Sequence, residues 1–129
     1  MNFSPEKSEM IQSYLTRMIP SFEESEEYLE WTDGGDSDDS LLLVGGALTA
    51  YLVRLQGSTL FRRRRTSVKA VISEIYNAIE VLAGSPDLDL QNFVQVNVFE
   101  NLHCSKRLLK RIVNGLLPRS RDIFDKFNL

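Results

Sequence analysis

The chain has 129 residues, of which 43% are hydrophobic, and it carries 15 basic and 18 acidic side chains. This length and apolar content predict one domain, residues 1–129, that buries a core without a metal or a disulfide staple, and they exclude a disordered or fibrous chain. The longest uncharged run, residues 40–53, has 14 residues and is shorter than the roughly 20 that cross a bilayer, so we expect no transmembrane helix and no membrane partner.

The net charge of -3 conceals two halves of opposite sign. Residues 1–60 carry 11 acids and three bases, whereas residues 61–129 carry seven acids and 12 bases. Nine of the acids lie between Glu23 and Asp39 with no base among them, and four bases are consecutive from Arg62 to Arg65. Each of these two runs needs a structural or a functional explanation.

The first predicted helix starts at Ser4 and Pro5, which suit a cap and a first turn, and it ends at Pro20. Its apolar residues recur at spacings of three and four, as one face of a helix requires. They are Met10, Ile11, Tyr14, Leu15 and Met18.

A second, short and acidic helix is predicted to follow. Ser21 and Glu24 have the spacing of a capping box, which marks a helix start. The apolar residues of this helix are Phe22, Leu29 and Trp31. Residues 32–40 contain adjacent glycines and short polar side chains, so they predict a loop.

The third and fourth helices are predicted from longer apolar stripes. Ser40 can cap the third and Gly57 is expected to end it, while Gly45 and Gly46 permit another backbone to come close. Its common face consists of Val44, Leu48, Tyr51, Leu52 and Leu55. The fourth keeps a 3.6-residue period until residues 84–86 end it. Its stripe is Val68, Val71, Ile72, Ile75, Ile79 and Leu82.

Residues 87–102 are compatible with two structures. Val94, Val96 and Val98 alternate with polar residues, as in a strand. A helix also fits, because Asp87 and Asp89 suit its first turn, and its apolar face would then be Leu90, Phe93, Val94, Val98 and Leu102. We favour the helix, since a single strand without a partner strand would leave its backbone groups unpaired.

Two further helices complete the predicted fold. One starts near Ser105 and points basic side chains outward, and a short one follows Pro118. The inward residues of the first are Leu108, Leu109, Ile112 and Val113, its outward ones are Lys106, Arg107, Lys110 and Arg111, and the last helix packs Ile123, Phe124 and Phe127. The prediction is an all-α single-domain bundle of six to seven helices, in which the first, third, fourth and sixth surround one core.

Catalytic chemistry finds little support in the sequence. His103 and Cys104 are adjacent, and on a helix they would point about 100° apart, which excludes a nucleophile and base pair. Glu80 and Glu100 could form an acid and base pair, but we favour the alternative that each bonds a neighbouring loop or helix end. With one histidine and no phosphate-binding glycine loop, we expect no enzyme activity, no cofactor and no metal.

Cation binding and nucleic-acid binding are weaker alternatives. The four aspartates of the acidic run do not have the spacing of a calcium-binding EF-hand loop. The run from Arg62 to Arg65, with Lys69 one turn later, could contact nucleic acid, but the net acidity and the lack of interleaved aromatics favour a solvated charge run. Four cations at a helix N-terminus are unfavourable, so we expect the acidic run to lie close to them.

The acidic run can bind a basic protein. Its carboxylates can imitate a phosphate backbone in the basic cleft of a nuclease, and Trp31 can anchor the complex. The alternative is a solvating acidic loop with Trp31 in the core. The candidate partner-binding residues are Glu23, Glu24, Glu27, Tyr28, Trp31, Asp33, Asp36, Asp38 and Asp39.

Four stretches carry a family resemblance. They are residues 79–83 (IEVLA), the stretch 91–102, which begins with QNFV and ends with VFENL, residues 117–121 (LPRSR), and an acidic helix followed by an apolar one over 22–55. In these stretches the chain resembles small all-helical bacterial immunity proteins of contact-dependent growth inhibition and polymorphic toxin systems. The resemblance implies a non-enzymatic inhibitor that binds one cognate toxin, frequently a nuclease, in a 1:1 complex inside the cell. The run from Arg62 to Arg65 departs from that group.

Two functions therefore remain open. The first is a cytoplasmic immunity protein that uses its acidic face, which agrees with the lone Cys104 and an N-terminus unlike a signal peptide. The second is a helical adaptor or regulatory protein that binds nucleic acid through the basic C-terminal half.

Overall fold

The computed structural model describes residues 5–32, 40–61 and 66–127, and within these ranges it contains seven α-helices and no strand. The helices are α1 (Pro5–Met18), α2 (Glu26–Thr32), α3 (Ser40–Phe61), α4 (Thr66–Ala83), α5 (Leu88–Asn92), α6 (Lys106–Gly115) and α7 (Pro118–Phe127). The prediction of an all-α bundle of six to seven helices is confirmed.

The long helix α3 is the centre of the bundle. It contacts α1, α2, α4, α6 and the segment that follows α5. The buried side chains form one core, to which every helix except α2 and α5 contributes a fully or nearly fully buried residue. Examples are Ile11, Leu48, Ile75, Ile112 and Phe124. The predicted packing of the first, third, fourth and sixth helices around one core is therefore confirmed.

The start of α2 differs from the prediction. The helix begins at Glu26, and its cap is Ser25, whose Oγ accepts a hydrogen bond from the backbone N–H of Tyr28 at 3.1 Å. Ser21 instead shares a 2.8 Å hydrogen bond with the hydroxyl of Tyr51. The predicted capping box is wrong because residues 21–24 form a turn that directs the fully buried Phe22 into the core.

The end of α3 also differs from the prediction. The helix continues through Gly57 to Phe61, so Gly57 is not its terminus. Glycine in a helix interior costs up to about 1 kcal/mol relative to alanine. Packing in this part of α3 offsets that cost: Leu55 is buried, and the buried Gln56 donates a 2.8 Å hydrogen bond from Nε2 to the Tyr76 hydroxyl.

Gly45 and Gly46 make the close approaches that the sequence predicted. A Cβ atom added to Gly45 would lie 2.6 Å from Cβ of Asn97, and one added to Gly46 would lie 2.7 Å from Cε3 of Trp31. Both distances are shorter than side chains tolerate. The two glycines therefore let α3 contact the segment after α5 with one side and α2 with another.

Residues 88–101 are helical throughout, which confirms the helix and excludes the strand. Asp87 caps α5, since its Oδ1 accepts a 2.9 Å hydrogen bond from the N–H of Asp89. The chain then widens into a π-helix, Phe93–Val98, and tightens into a 3₁₀ turn, Phe99–Asn101. The hydroxyl of Thr49 lies 3.0 Å from the carbonyl oxygen of Val98, so the irregular part of the helix is bonded directly to α3.

Candidate functional site

Helix α2 and the turn before it display acidic and apolar side chains together. Leu29 is 58% exposed and Trp31 is 39% exposed. Four exposed carboxylates accompany them, from Glu23 and Glu24 in the turn and Glu26 and Glu30 on the helix. We call these six residues the α2 surface. An apolar centre with a polar rim is the usual composition of a protein interface.

Trp31 is partly packed and partly exposed, whereas the sequence predicted either an anchor for a partner or a core residue. The six-membered ring of its indole lies against Gly46 of α3, so one edge is packed. The side chain nevertheless keeps 39% of its exposure. Trp31 is therefore neither a core residue nor a free one, and a partner could contact its outer edge.

Glu27 and Tyr28 were predicted to bind a partner, but the structure places both in contacts within the chain. The Glu27 carboxylate receives two hydrogen bonds from Arg54, at 2.6 Å from Nε and 3.1 Å from Nη2, and its side chain is only 12% exposed. The Tyr28 hydroxyl accepts a 2.7 Å hydrogen bond from Nε2 of Gln12, and its ring meets Phe22 edge-on at 5.0 Å. Both residues fix α2 to its neighbours.

The ionisation of Glu27 reflects this pairing. Burial alone would raise the pKa of its carboxyl, but the bonds from Arg54 and from the backbone outweigh burial and hold the pKa below its ordinary value. Arg54 is also placed over the ring of Tyr51, 5.4 Å from its centroid. The charge of Glu27 is therefore neutralised within the chain, unlike that of the exposed acids beside it.

The other predicted partner-binding residues lie outside the described part of the chain. These are Asp33, Asp36, Asp38 and Asp39. The run from Arg62 to Arg65 also lies outside it. The predicted proximity of the acidic run and the arginine run therefore stays a prediction.

Glu80 caps a distant helix, which confirms the favoured alternative for this residue. Its carboxylate accepts hydrogen bonds from the N–H groups of Arg119 and Ser120, both at 2.9 Å, and from the Ser120 hydroxyl at 2.8 Å. Burial raises the pKa of Glu80, but these three bonds and the Arg119 charge hold it below its ordinary value. Glu80 thus satisfies the free N–H groups at the start of α7.

His103 and Cys104 do not lie on a helix, contrary to the premise of the sequence argument. They lie in the connection between the 3₁₀ turn and α6. His103 is exposed and Cys104 is half-buried, and burial raises the pKa of the Cys104 thiol, which disfavours a reactive thiolate. Across residues 5–32, 40–61 and 66–127, no group of three or more potential metal-ligating side chains comes together.

The basic helix α6 has the orientation that the sequence predicted. Its outward residues Lys106, Arg107, Lys110 and Arg111 are exposed, and Arg119, Arg121 and Lys126 of α7 are exposed as well. A shallow groove of about 360 Å³ runs between the two helices and is lined by Lys106, Lys110 and Arg121 among others. Among the described residues that line the groove, the one aromatic is Phe124, which is buried against Phe99, so these residues offer no ring on which a base could stack.

Sequence reasoning missed a second apolar region. Met10 and Met18 were placed in the core stripe of α1, but they are 48% and 40% exposed. The signal was present in the sequence, because the adjacent residues Met10 and Ile11 cannot both face the core of one bundle. Ile11 is the buried one, and Met10 lines a pocket.

No known protein family, curated protein or solved structure matches this chain. Within the described residues, none of the helices combines the length and the apolar content that crossing a membrane would require.

Proposed function

We propose that this protein is a non-enzymatic inhibitor that binds a basic toxin domain in the cytoplasm through the α2 surface, in a 1:1 complex. One observation carries the proposal: Leu29 and Trp31 are partly exposed beside four exposed carboxylates, with no basic side chain in residues 23–39. The family resemblance of the sequence supports the same function.

The charges of the α2 surface suit a basic partner. Exposed carboxylates of one sign steer an oppositely charged protein and speed its association, while they repel acidic proteins and nucleic acids. A nuclease domain fits this pattern, because its cleft is built to bind phosphates and carboxylates can occupy the same basic groups. The partner class we propose is therefore a nuclease.

The position of α2 is fixed before a partner arrives. Trp31 packs on Gly46, Glu27 pairs with Arg54 and Tyr28 bonds Gln12. Each contact joins α2 to α3 or α1. A helix that is already positioned loses less conformational freedom on binding, which favours a tight complex.

The experiment pairs this protein with the product of the neighbouring upstream reading frame, if that product ends in a toxin-like domain. Kinetics of the purified complex would be measured for two variants. One converts Glu23, Glu24, Glu26 and Glu30 to Gln, and its control converts the exposed acids Glu6, Glu9, Glu100 and Asp122 to their amides, which changes the net charge equally. We expect the first to slow association by roughly one to three decades at low salt and the control to have much less effect.

A second comparison tests the apolar centre. Leu29→Ser should speed dissociation, whereas Leu88→Ser, at a leucine that is 70% exposed on α5, should not. Equal effects of the two charge variants, together with no effect of Leu29→Ser, would show that the α2 surface is not the binding site. Protection of toxin-expressing cells should follow the same order as the complex lifetimes.

The alternative function is nucleic-acid binding through α6 and α7. The seven exposed bases of these two helices favour it. It predicts an affinity for RNA or DNA that falls steeply with salt and that drops when Lys106 and Lys110 are changed to Gln. An electrophoretic mobility assay at two salt concentrations separates this function from the first, which predicts no such affinity.

A further inference from the structure

A pocket of about 450 Å³ lies between α1, the end of α4 and α5. Its walls are mainly apolar and include Met10, Ile11, Val81, Leu82 and Leu90. This volume and this lining are those of small-molecule sites. The pocket shares no residue with the α2 surface, so an inference about it does not rest on the proposed function.

The walls of the pocket are held in place by polar contacts around it. Lys7 of α1 bridges Asp87 and Asp89 at the start of α5, with Nζ–Oδ2 distances of 2.8 and 2.9 Å. Ser85, which also lines the pocket, accepts a 3.1 Å hydrogen bond at Oγ from the N–H of Asp87 and is thus engaged in the turn. These contacts fix α1 and the turn before α5 at the two sides of the pocket.

One charged side chain of α1 remains for a ligand. Arg17 lines the pocket, is exposed, and has no salt bridge within the described residues. Tyr14, one turn earlier on the same face, also lines the pocket, but its hydroxyl is buried, so a ligand in the pocket can reach the ring and not the hydroxyl.

We propose that this pocket binds an apolar monocarboxylic acid, with the hydrocarbon part against Val81, Leu82 and Leu90 and the carboxylate near Arg17. The carboxylate can accept charge-assisted hydrogen bonds from the guanidinium group, and the hydrocarbon part covers the apolar walls. An apolar cation would meet the charge of Arg17. A purely apolar molecule would leave Arg17 without a counter-charge, and a multiply charged anion would find one cation among the described residues that line the pocket.

The test uses three probes with the same ten-carbon chain: decanoate, decan-1-ol and decyltrimethylammonium. Calorimetry gives the affinities, and backbone amide shifts in NMR spectra locate the site. We expect saturable binding of decanoate with shifts around Met10, Tyr14, Val81 and Leu90, roughly tenfold weaker binding of the alcohol, and no binding of the cation at this site. Equal affinity for the three probes, or shifts scattered outside the pocket, would overturn the proposal.

Variants separate recognition of the carboxylate from general apolar binding. Arg17→Gln should weaken decanoate roughly three- to tenfold and leave the alcohol unchanged, whereas Arg107→Gln on α6 should change neither. Val81→Trp, at a side chain that is 56% exposed at the rim, should block both ligands without unfolding the protein.

Tyr14→Phe is the control for the polar groups near the pocket. Because the Tyr14 hydroxyl is buried and makes no hydrogen bond with any described residue, the variant should leave the decanoate affinity unchanged, and the Tm of the ligand-free protein should stay the same or rise. Unchanged decanoate affinity in Arg17→Gln would overturn the proposed recognition of a carboxylate.

Discussion

Helices α2 and α6 both pack on α3, but different kinds of contact hold them there. None of the seven residues of α2, all of them described, is fully buried, and the helix is joined to α3 and α1 by the partly exposed side chains of Trp31, Glu27 and Tyr28. Helix α6 inserts Ile112, which is fully buried, into the core. Its Ile112 carbonyl also accepts a 2.9 Å hydrogen bond from the buried Tyr76. The contacts of α2 leave Leu29 and part of Trp31 available to a partner, whereas the apolar residues of α6 lie in the core or against it.

The largest expected difference concerns the apolar anchors of these two helices. Ile112→Ala should lower the free energy of unfolding by about 2–5 kcal/mol, because it leaves a cavity in the core. Trp31→Ala should cost less than about 2 kcal/mol, because Trp31 keeps 39% of its exposure. Urea denaturation followed by circular dichroism measures both. If Trp31→Ala lowered the free energy of unfolding as much as Ile112→Ala, α2 would be held by core packing as α6 is, and the proposed difference between the two helices would be wrong.

The stability that Glu80 and Glu27 contribute should depend on pH. The pKa values of Glu80 and Glu27 are both held below the ordinary value, so folding stabilises their ionised forms. Their contributions should be complete above the ordinary glutamate pKa of about 4.3 and should be lost as the pH falls through the lower folded values. Glu80→Gln should cost about 1–2 kcal/mol at pH 7 and Glu27→Gln about 0–1 kcal/mol, with both differences shrinking towards pH 3.

The control for these carboxylates is Glu100→Gln, at an exposed residue, which should change stability by less than about 0.5 kcal/mol. Salt supplies a second check. Because the Glu27 and Arg54 pair is near the surface, 1 M salt should reduce the Glu27→Gln effect more than the Glu80→Gln effect. If Glu27→Gln lowered the free energy of unfolding by an amount independent of both salt and pH, the Glu27 and Arg54 ion pair would not be what holds α2.

The smallest expected effects come from the same substitution at two positions of α3. Gly57→Ala should stabilise the protein by about 0.4–1 kcal/mol, since Gly57 is inside the helix and, among the described residues, the new Cβ would meet only Cδ2 of Leu108, at 3.8 Å. Gly46→Ala should destabilise it, because the new Cβ would run into the Trp31 indole. Thermal melts measure the sign of each change.

The fluorescence of Trp31 reports directly whether the new Cβ of Gly46→Ala displaces the indole, since Trp31 is the one tryptophan of the chain. Its fluorescence should shift to the red in Gly46→Ala, as the indole moves towards water, and should stay unchanged in Gly57→Ala. A stable Gly46→Ala variant with parental fluorescence would contradict the packing of α2 described above.

The sequence predicts a helix well where a regular apolar stripe along one face of that helix determines which residues are buried. The stripe of α4 has a regular period, and its inward residues Ile72, Ile75, Ile79 and Leu82 are buried as expected. The start of α2 was predicted at Ser21, but Phe22 is buried in the core and the cap is Ser25, which the local pattern did not single out. The continuation of α3 through Gly57 likewise depends on contacts of Gln56 with α4, which no local pattern contains.

The widened turn at 93–98 and the composition of the α2 surface could not be predicted for a similar reason. The π-helix lies against Gly45 and bonds Thr49, residues that are about 50 positions earlier in the chain. The acidic run was visible in the sequence, but Glu27 is paired with Arg54 and mostly covered, and Leu29 is exposed because α2 packs on α3 and α1 through other residues, Glu27, Tyr28 and Trp31. Both facts depend on pairs that are distant in sequence.

The capping of α7 by Glu80 has a consequence for the order of assembly. The three hydrogen bonds at the start of α7 are accepted by a side chain about 40 positions earlier, and α7 has no equivalent partner in its own first turn among the described contacts. During synthesis α4 leaves the ribosome well before α7. The carboxylate that caps α7 is therefore already made when α7 emerges, and the first turn of α7 is completed by docking on α4 and not by its own sequence.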